Sequence, residues 1–542
     1  MYDVMEQYAA FGRREIFTDV REITYDNVIP IVQEALGIHL MNAGRMEYLL
    51  NFEAGDQPIT REKKYRKDIN VQCIDNVANE ITEFKLAFQW SSPITFVQRD
   101  GSDNKDDLTD AVTELNDCYD AENIGTKNQE LGRFVEICGI GYTYIDVNME
   151  PEEGDSYFHV EVLDPRTTFI VRSNYYFDRR PMLAVTYRFD TDGRGYYTCF
   201  SKDERYELLN ALVHLDGASM VDKKKLVHWE GADGHRSGEE NPLHKIPVIE
   251  WQRAWDRMGV FERQESELKN LNLLVSDFSN DIEQNTMSVW HANDVDFPTE
   301  KTINADGSVT VKVIHPESSE WVNTTTTQDG REPFIKPLAV DYDYEGMLAN
   351  IMARRSLILQ KCNVPQRNDN SGGSTGVAMS DATGWSAAEQ AAAKEQLIVE
   401  ASKMDEVKVA LVAARLCPAF KADSPMAKLN ARKIKPNVTR QRDYELTVKS
   451  NALATLLSHG VDGLTAMRTI NLFDDTAQAY ASSKELIDKY QKSIFEPEPA
   501  STSTGSQPKN KPVGGAGEEK ANAERTMSDY SDQEVNSKMI GG

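Results

Sequence analysis

Five apolar residues, Phe261, Leu268, Val275, Ile282 and Val289, recur every seven positions, and Leu271 and Phe278 fill the three–four positions between them. A repeat of this kind commits 258–290 to one long helix. At about 1.5 Å per residue such a segment is a rod about 50 Å long. The stripe is too narrow for a lone core helix, so the rod is expected to lie against other helices. Glu262, Glu265, Glu267, Asp277, Asp281 and Glu283 crowd the remaining faces, with only Arg263 and Lys269 between them. A solvated face and an acidic lining both fit that pattern.

The residues beyond the rod constrain it further. NADGSVTVKVI and TTTTQDGREP place Asp-Gly turn signals beside alternating runs, so 294–341 reads as a small strand-and-turn insertion. A second helix over 344–362 carries Tyr344, Leu348, Ile351, Ile358 and Cys362 on one face and stops before Val364-Pro365. One helix leaves, a small β module sits at the far end, and one helix returns. Then comes VPQRNDNSGGSTGVAMSDATG, a small, polar, glycine-rich loop. A phosphate-cradling loop needs a lysine after its glycines, and Gly372, Gly373 and Gly376 lead into Val377 and Ala378 instead. Ser386-x-x-Glu389 reads as a capping box opening a helix over 386–417, with Leu397, Met404 and Leu411 as its buried stripe.

Upstream, residues 1–90 read as mainly helical. Ile69, Cys73, Val77, Ile81 and Phe84 form one apolar helical face, and a further helix covers Leu108–Tyr119. The basic run Arg61–Lys67 fits a solvated flank or a protein contact better than DNA binding, since no aromatic ladder accompanies it. Between Gly139 and Trp251 the period changes to two, in GYTYIDVNM, YFHVEVL, TTFIVR, MLAVTYRF, GYYTCF and KLVHWEG. The fold class is therefore α+β, with a mostly antiparallel sheet region. Downstream, Arg440–Tyr490 is helical with a break near Gly460–Gly463, and the apolar-poor stretch after Lys492 is expected to be disordered.

With 87 acidic against 60 basic residues the net charge is −27, which excludes general adhesion to nucleic acid while permitting contact without sticking. The six cysteines are scattered without C-x-x-C spacing, so a reducing compartment is the default. No apolar run approaches the roughly 18–20 residues that a membrane span needs, and MYDVMEQYAAFGRREIF lacks a signal-peptide layout. A soluble, intracellularly made protein is expected. His214, His228, His235 and His244 are fourteen, seven and nine apart, which matches no metal-ligand pattern on one element. Catalytic motifs are missing too, so no catalytic, cofactor or metal residues are assigned. The enzyme alternative is a metal-dependent hydrolase or nuclease using scattered Asp, Glu and His residues.

The order of parts resembles that of tailed-phage portal proteins, in the branch typified by the portal of a Bacillus siphophage. INVQCIDNVANEITEFKLAFQWSSPITF is similar to the family's amphipathic helix and following segment. GIGYTYIDV, LDPRTTFIVRS and MLAVTYRF resemble its wing strands, and HKIPVIEWQ resembles the entry into its stem. STGVAMSDATGWSAAEQAAAKEQ is similar to its small-residue segment and charged helix, and GVDGLTAMRTINLFDD to its C-terminal pattern. The likeness covers about residues 40–490. The chain departs where WSSPITF lacks the family's glycine before the proline, and the insertion is not matched residue by residue.

The resemblance implies a ring-forming portal fold. Its parts would be a wing (1–256), stem helices (257–293 and 343–364), a clip (294–342), a tunnel loop (365–384), a long wing helix (385–418), a helical crown (419–491) and a disordered tail (492–542). Twelve copies would form a ring at one capsid vertex through which double-stranded DNA is packaged and ejected. Phe261, Leu268, Leu271, Val275, Phe278 and Ile282 would pack subunits together. Glu262, Glu265, Asp277, Asp281 and Glu283 would face the channel. Arg367, Gly372, Gly373, Thr375, Gly376, Met379 and Ser380 would border the DNA. Partners would be further copies of the chain, the major capsid protein, a scaffolding protein, the terminase large subunit and a head-completion or adaptor protein, with no membrane. The place of action would be the virion, after assembly in the bacterial cytoplasm. Another ring-forming virion protein without a DNA channel is the remaining alternative.

Overall fold

The computed structural model describes residues 12–60, 67–99, 108–191, 195–212, 227–231, 239–286, 290–293, 299–304, 306, 308–313, 334–337, 343–366, 384–438, 440, 443–470, 473 and 476–495. After a short β1 (Ile16–Thr18), helix α1 (Tyr25–Ala54) opens on a reciprocal cap between Thr24 and Asn27 and closes at Gly55, whose φ of 104° suits glycine. Then come α2 (Val77–Gln89), β2 (Thr95–Gln98), α3 (Thr109–Ala121) and α4 (Ile124–Cys138).

The alternating region forms two sheets. The larger contains β5 (Thr168–Ser173), β6 (Pro181–Phe189), β7 (Gly195–Phe200), β8 (Glu204–Leu212), β9 (Val227–Gly231) and β10 (Glu239–Glu240). Its order is β1-β5-β6-β7-β8-β10, with β9 also on β8, and only the β1–β5 pair is parallel. Phe169, Val171, Leu183, Val185, Tyr197 and Leu208 cover one face and pack beneath Val28, Ile31, Val32 and Ala35 of α1. The smaller sheet has the order β11-β3-β4, from β3 (Ile140–Val147), β4 (Phe158–Leu163) and β11 (Val248–Gln252). β3 is buried along most of its length because α4 and the later helix Trp385–Leu416 both pack on it. The fold is α+β, as the two periodicities require.

The long excursion is built from α5 (Glu265–Thr286), β12 (Trp290–Asn293), β13 (Thr299–Ile303), β14 (Val309–Val313), β15 (Phe334–Pro337) and α6 (Tyr344–Lys361). β12 pairs with β15 and β13 with β14, each antiparallel, and α5 packs on α6 with the Phe278 and Tyr344 rings 6.1 Å apart. Helix α7 (Trp385–Leu416) is followed by β16 (Ile434–Asn437), which pairs with β2. Helices α8 (Asp443–Ser458), α9 (Gly463–Ile470) and α10 (Thr476–Phe495) close the described chain around their own small core of Leu457, Ala466, Met467 and Ile487.

Several expectations are corrected. The first helix of the excursion starts at Glu265 after one 3₁₀ turn, not at 258. Residues 257–261 are instead tied to the end of α4: Val260 N–H donates to Glu136 O, and a Cβ at Gly259 would lie 2.1 Å from Ile137 O. The segment 69–76, expected as helix, is an extended strap along α5. Val71, Cys73 and Asp75 donate their backbone N–H groups to Asn280 Oδ1 (2.8 Å), Ser276 Oγ (3.0 Å) and Asn272 Oδ1 (3.0 Å). Asn280 Nδ2 and Ser276 Oγ donate back to the carbonyls of Val71 and Cys73. Once the backbone has such partners it needs no helix. α7 has Gly384 at its N-cap, with φ 85° and no side-chain cap, so Ser386 lies inside the helix, and Leu397 is exposed. Finally, residues 425–437 pack with β2 and α3 rather than with the C-terminal helices, and α10 runs to Phe495, past the expected end at 491. The tail after 495 lies outside the described residues.

Candidate functional site

The excursion and the elements at its root are where the sequence placed function. At the root of α5, Glu262 is fully enclosed. Its carboxylate accepts from Arg13 Nη2, from Arg45 Nε (3.0 Å) and from Gly259 N–H (2.9 Å), while Arg13 Nη1 also donates to Cys138 O (2.8 Å). The side chains of Arg13 and Glu262 are each 1 % exposed. Glu265 accepts from Arg45, Tyr48 OH and Lys269. Burial opposes its charge, but Arg45 and Lys269 together hold its carboxyl below the usual range. Glu262 therefore cannot line a channel, and Glu265, half-buried, pairs its charge with Arg45 and Lys269 at the same joint. Asp277 and Asp281, half-buried, remain on one open side of α5, about 40° apart at about 100° per residue. Glu283 lies about 120° or more around the helix from both, nearer the strap side.

The apolar stripe is likewise corrected in part. Phe261, Leu268 and Leu271 are buried inside this one chain, against residues such as Phe52, Ile81 and Ile358. Val275 and Phe278 pack partly on the same cluster, and Ile282 is 42 % exposed. Only the outer part of the stripe is therefore open to a neighbour. Val289 lies outside the described residues.

The loop residues Arg367, Gly372, Gly373, Thr375, Gly376, Met379 and Ser380 also lie outside the described residues. The described chain resumes with the helix after them. Trp385 sits edge-on to Phe84 and Phe88 of α2, at 5.9 and 5.8 Å. Further along α7, Glu395 accepts from Arg253 (2.6 Å) and Gln89 and faces Lys85 Nζ at 3.6 Å. Glu136 of α4 stands behind them, its Oε1 accepting from Trp90 Nε1 (3.2 Å) and its Oε2 without a hydrogen bond among the described residues. Burial, then the nearby Glu395, pushes the Glu136 carboxyl up.

Sequence reasoning missed a buried charge deeper in α7. Lys403 Nζ donates to Glu406 Oε1 at 2.5 Å, with both side chains almost fully enclosed. Tyr119, Phe96 and Trp251 surround the ammonium, with ring centroids at 4.1, 5.7 and 6.0 Å, and Thr143 donates to Glu406 Oε2. Burial lowers the Lys403 pKa. The i,i+3 spacing is readable, but nothing local marks the pair as interior. Among the described residues no group of His, Cys, Asp and Glu could hold a metal ion; His214 and His235 are not among them.

The family described as "Phage portal protein, SPP1 Gp6-like" matches residues 38–442, well over half of the chain. The chain belongs to that family. The matched stretch runs from the middle of α1 through the excursion and α7 to just past β16, and so contains the whole excursion but not Arg13 at its root. No curated protein matches. Among solved structures, this portal-family chain is similar to one titled "Virion of native gene transfer agent (GTA) particle", at 11% identity and TM-score 0.40. The match covers 79% of this chain and 93% of that one. A second, "Neck of empty GTA particle computed with C6 symmetry", gives 11% identity and TM-score 0.36, covering 77% and 96%. Likeness at that level carries no functional information. Among the described residues no helix is long and apolar enough to cross a membrane.

Proposed function

We propose that the chain is the subunit of a dodecameric portal ring at one capsid vertex, the passage for double-stranded DNA during packaging and ejection. The observation that carries this reading is the family match across the whole out-and-back excursion. In it, α5 and α6 are the stem, the paired strands between them the clip, and 365–384 the tunnel loop. The clip docks the terminase large subunit and later the head-completion or adaptor protein. The wing meets the major capsid protein and the scaffolding protein. DNA passes without sequence-specific binding, and Asp277 and Asp281, on the open side of α5, repel its phosphates. The protein acts in the virion after assembling in the host cytoplasm, and its role is structural.

Negative-stain microscopy of the purified protein tests the reading, because a portal gives turbine-shaped rings with a central hole. Monomers or solid particles at assembly concentration would refute it. The loop has its own test. Replacing Gly372, Gly373 and Gly376 with Val restricts the backbone, and the expected result is procapsids that fail to fill with DNA. Normal packaging would leave that loop an ordinary connector.

A further inference from the structure

Helices α8–α10 have their own core, separate from the body of the chain. Their link to that body begins at β16, which is fixed to β2, and reaches α8 within a few residues. Arg440 stands in this link. Its Nη1 donates to Glu389 Oε1 and its Nη2 to Gln396 Oε1, each at 2.5 Å, and the guanidinium lies 5.8 Å from the Phe88 ring centroid. Glu389 and Gln396 are seven positions apart on α7, an axial separation of about 10 Å. One side chain therefore spans two turns of the helix and resists its sliding.

The stretch it clamps buries no large apolar side chain of its own. Between Trp385 and Gln396 the buried residues of α7 are Ala388 and Ala392, whereas from Val399 onward larger apolar side chains join them. The first three turns are held by polar and ring contacts: Arg440 on one side, Lys85, Gln89 and Arg253 on Glu395, and Trp385 against Phe84 and Phe88. Phe88 meets both Trp385 and Arg440, so the two attachments share one ring.

We propose that Arg440 is a positioning residue that couples the seating of the C-terminal helices to that of the first three turns of α7. A displacement of 443–495 pulls on the link and reaches Glu389 and Gln396 through the guanidinium fork. Lysine cannot replace it, because a single ammonium does not present two donors across that span. The proposal stands whether or not the chain forms a DNA passage. Within the portal reading, it connects the C-terminal helices with the helix that begins where the 365–384 loop ends.

Hydrogen exchange of the full-length protein, resolved by peptide, tests it. Arg440→Ala is expected to speed exchange across 385–396 by about tenfold or more, while α1 and β5–β8 keep their protection. Arg440→Lys should give most of that effect. Met467→Asp, which disrupts the separate C-terminal core, should also speed exchange across 385–396, but should add nothing once Arg440 is Ala. Glu389→Ala, which leaves Arg440 in place, should loosen 385–396 to a lesser degree and covers the case in which Arg440→Ala fails to fold. Unchanged protection of 385–396 in Arg440→Ala or Glu389→Ala, rescue by Lys, or a Met467→Asp effect that persists without Arg440 would each overturn the proposal.

Discussion

Replacing Glu262 with Ala should be among the most damaging single changes at the root of α5, although the residue reads from sequence as one more surface acid. The carboxylate takes three donors, from Arg13, Arg45 and Gly259, in a site with almost no solvent. Alanine leaves the Arg13 guanidinium buried without its counter-charge, which costs about 3–5 kcal/mol. At 1.4 kcal/mol per decade, that is a change of about 100-fold or more in the opening equilibrium of the joint. The backbone amides that report it are Arg13, bonded to Arg257 O, and Val260, bonded to Glu136 O. Hydrogen exchange at both should accelerate by that factor. Asp281→Ala, at a half-buried acid on the same helix, serves as the comparison and should shift stability by no more than about 0.5 kcal/mol. Equal, small effects from the two substitutions would refute the buried-joint account and make Glu262 a channel residue again.

The geometry carries three further outcomes. Lys403→Met should destabilise by about 3–5 kcal/mol by stranding Glu406, and the pair Lys403→Met with Glu406→Leu should recover most of it in thermal unfolding; no recovery would mean that the aromatic surroundings, not the ion pair, set the cost. Burial and Glu395 raise the Glu136 carboxyl from 4.5 to about 7, so the folded chain keeps a proton that the unfolded chain has lost. Stability from this group is full below about pH 4.5 and is lost as pH rises through about 7, so Glu136→Gln should flatten the stability profile over that window, and an unaltered profile would exclude Glu136 as its source. Ending the chain after Phe495 should leave assembly intact, because the remaining residues hold few large apolar groups; sedimentation that shows loss of rings would contradict this.

Local patterns announce most of the architecture. The alternation in TTFIVR and MLAVTYRF becomes β5 and β6 with one face under α1, and the Asp-Gly signal in NADGSVTVKVI becomes the β13–β14 hairpin. Patterns mislead where a long-range partner supplies what the local reading assumes. Ile69, Cys73 and Val77 have helical spacing, but Asn272, Ser276 and Asn280 offer the strap's backbone its hydrogen bonds from about 200 positions away. The seven-residue stripe correctly marks a packed helix, yet its inner half packs within the chain. Glu262 reads with the solvated acids because Arg13, its partner, is 249 residues distant. No local rule carries that information.

The strap and α5 form two scales laid side by side with slightly different graduations. Each successive rung advances two residues on the extended strand, about 6.6 Å, but four residues on the helix, about 6.0 Å. The mismatch of about 0.6 Å per rung is taken up by the side chains of Asn272, Ser276 and Asn280, whose bonds to the strap stay between 2.8 and 3.0 Å. The ladder runs through these three, and the position one step further, Gln284, contributes no bond of this kind among the described residues. The pairing is therefore a vernier, fixing α5 against the strap at one axial setting. Stretching the helix brings the two graduations closer together and compressing it drives them apart, so the fastening is stiffer against an axial push than against an axial pull.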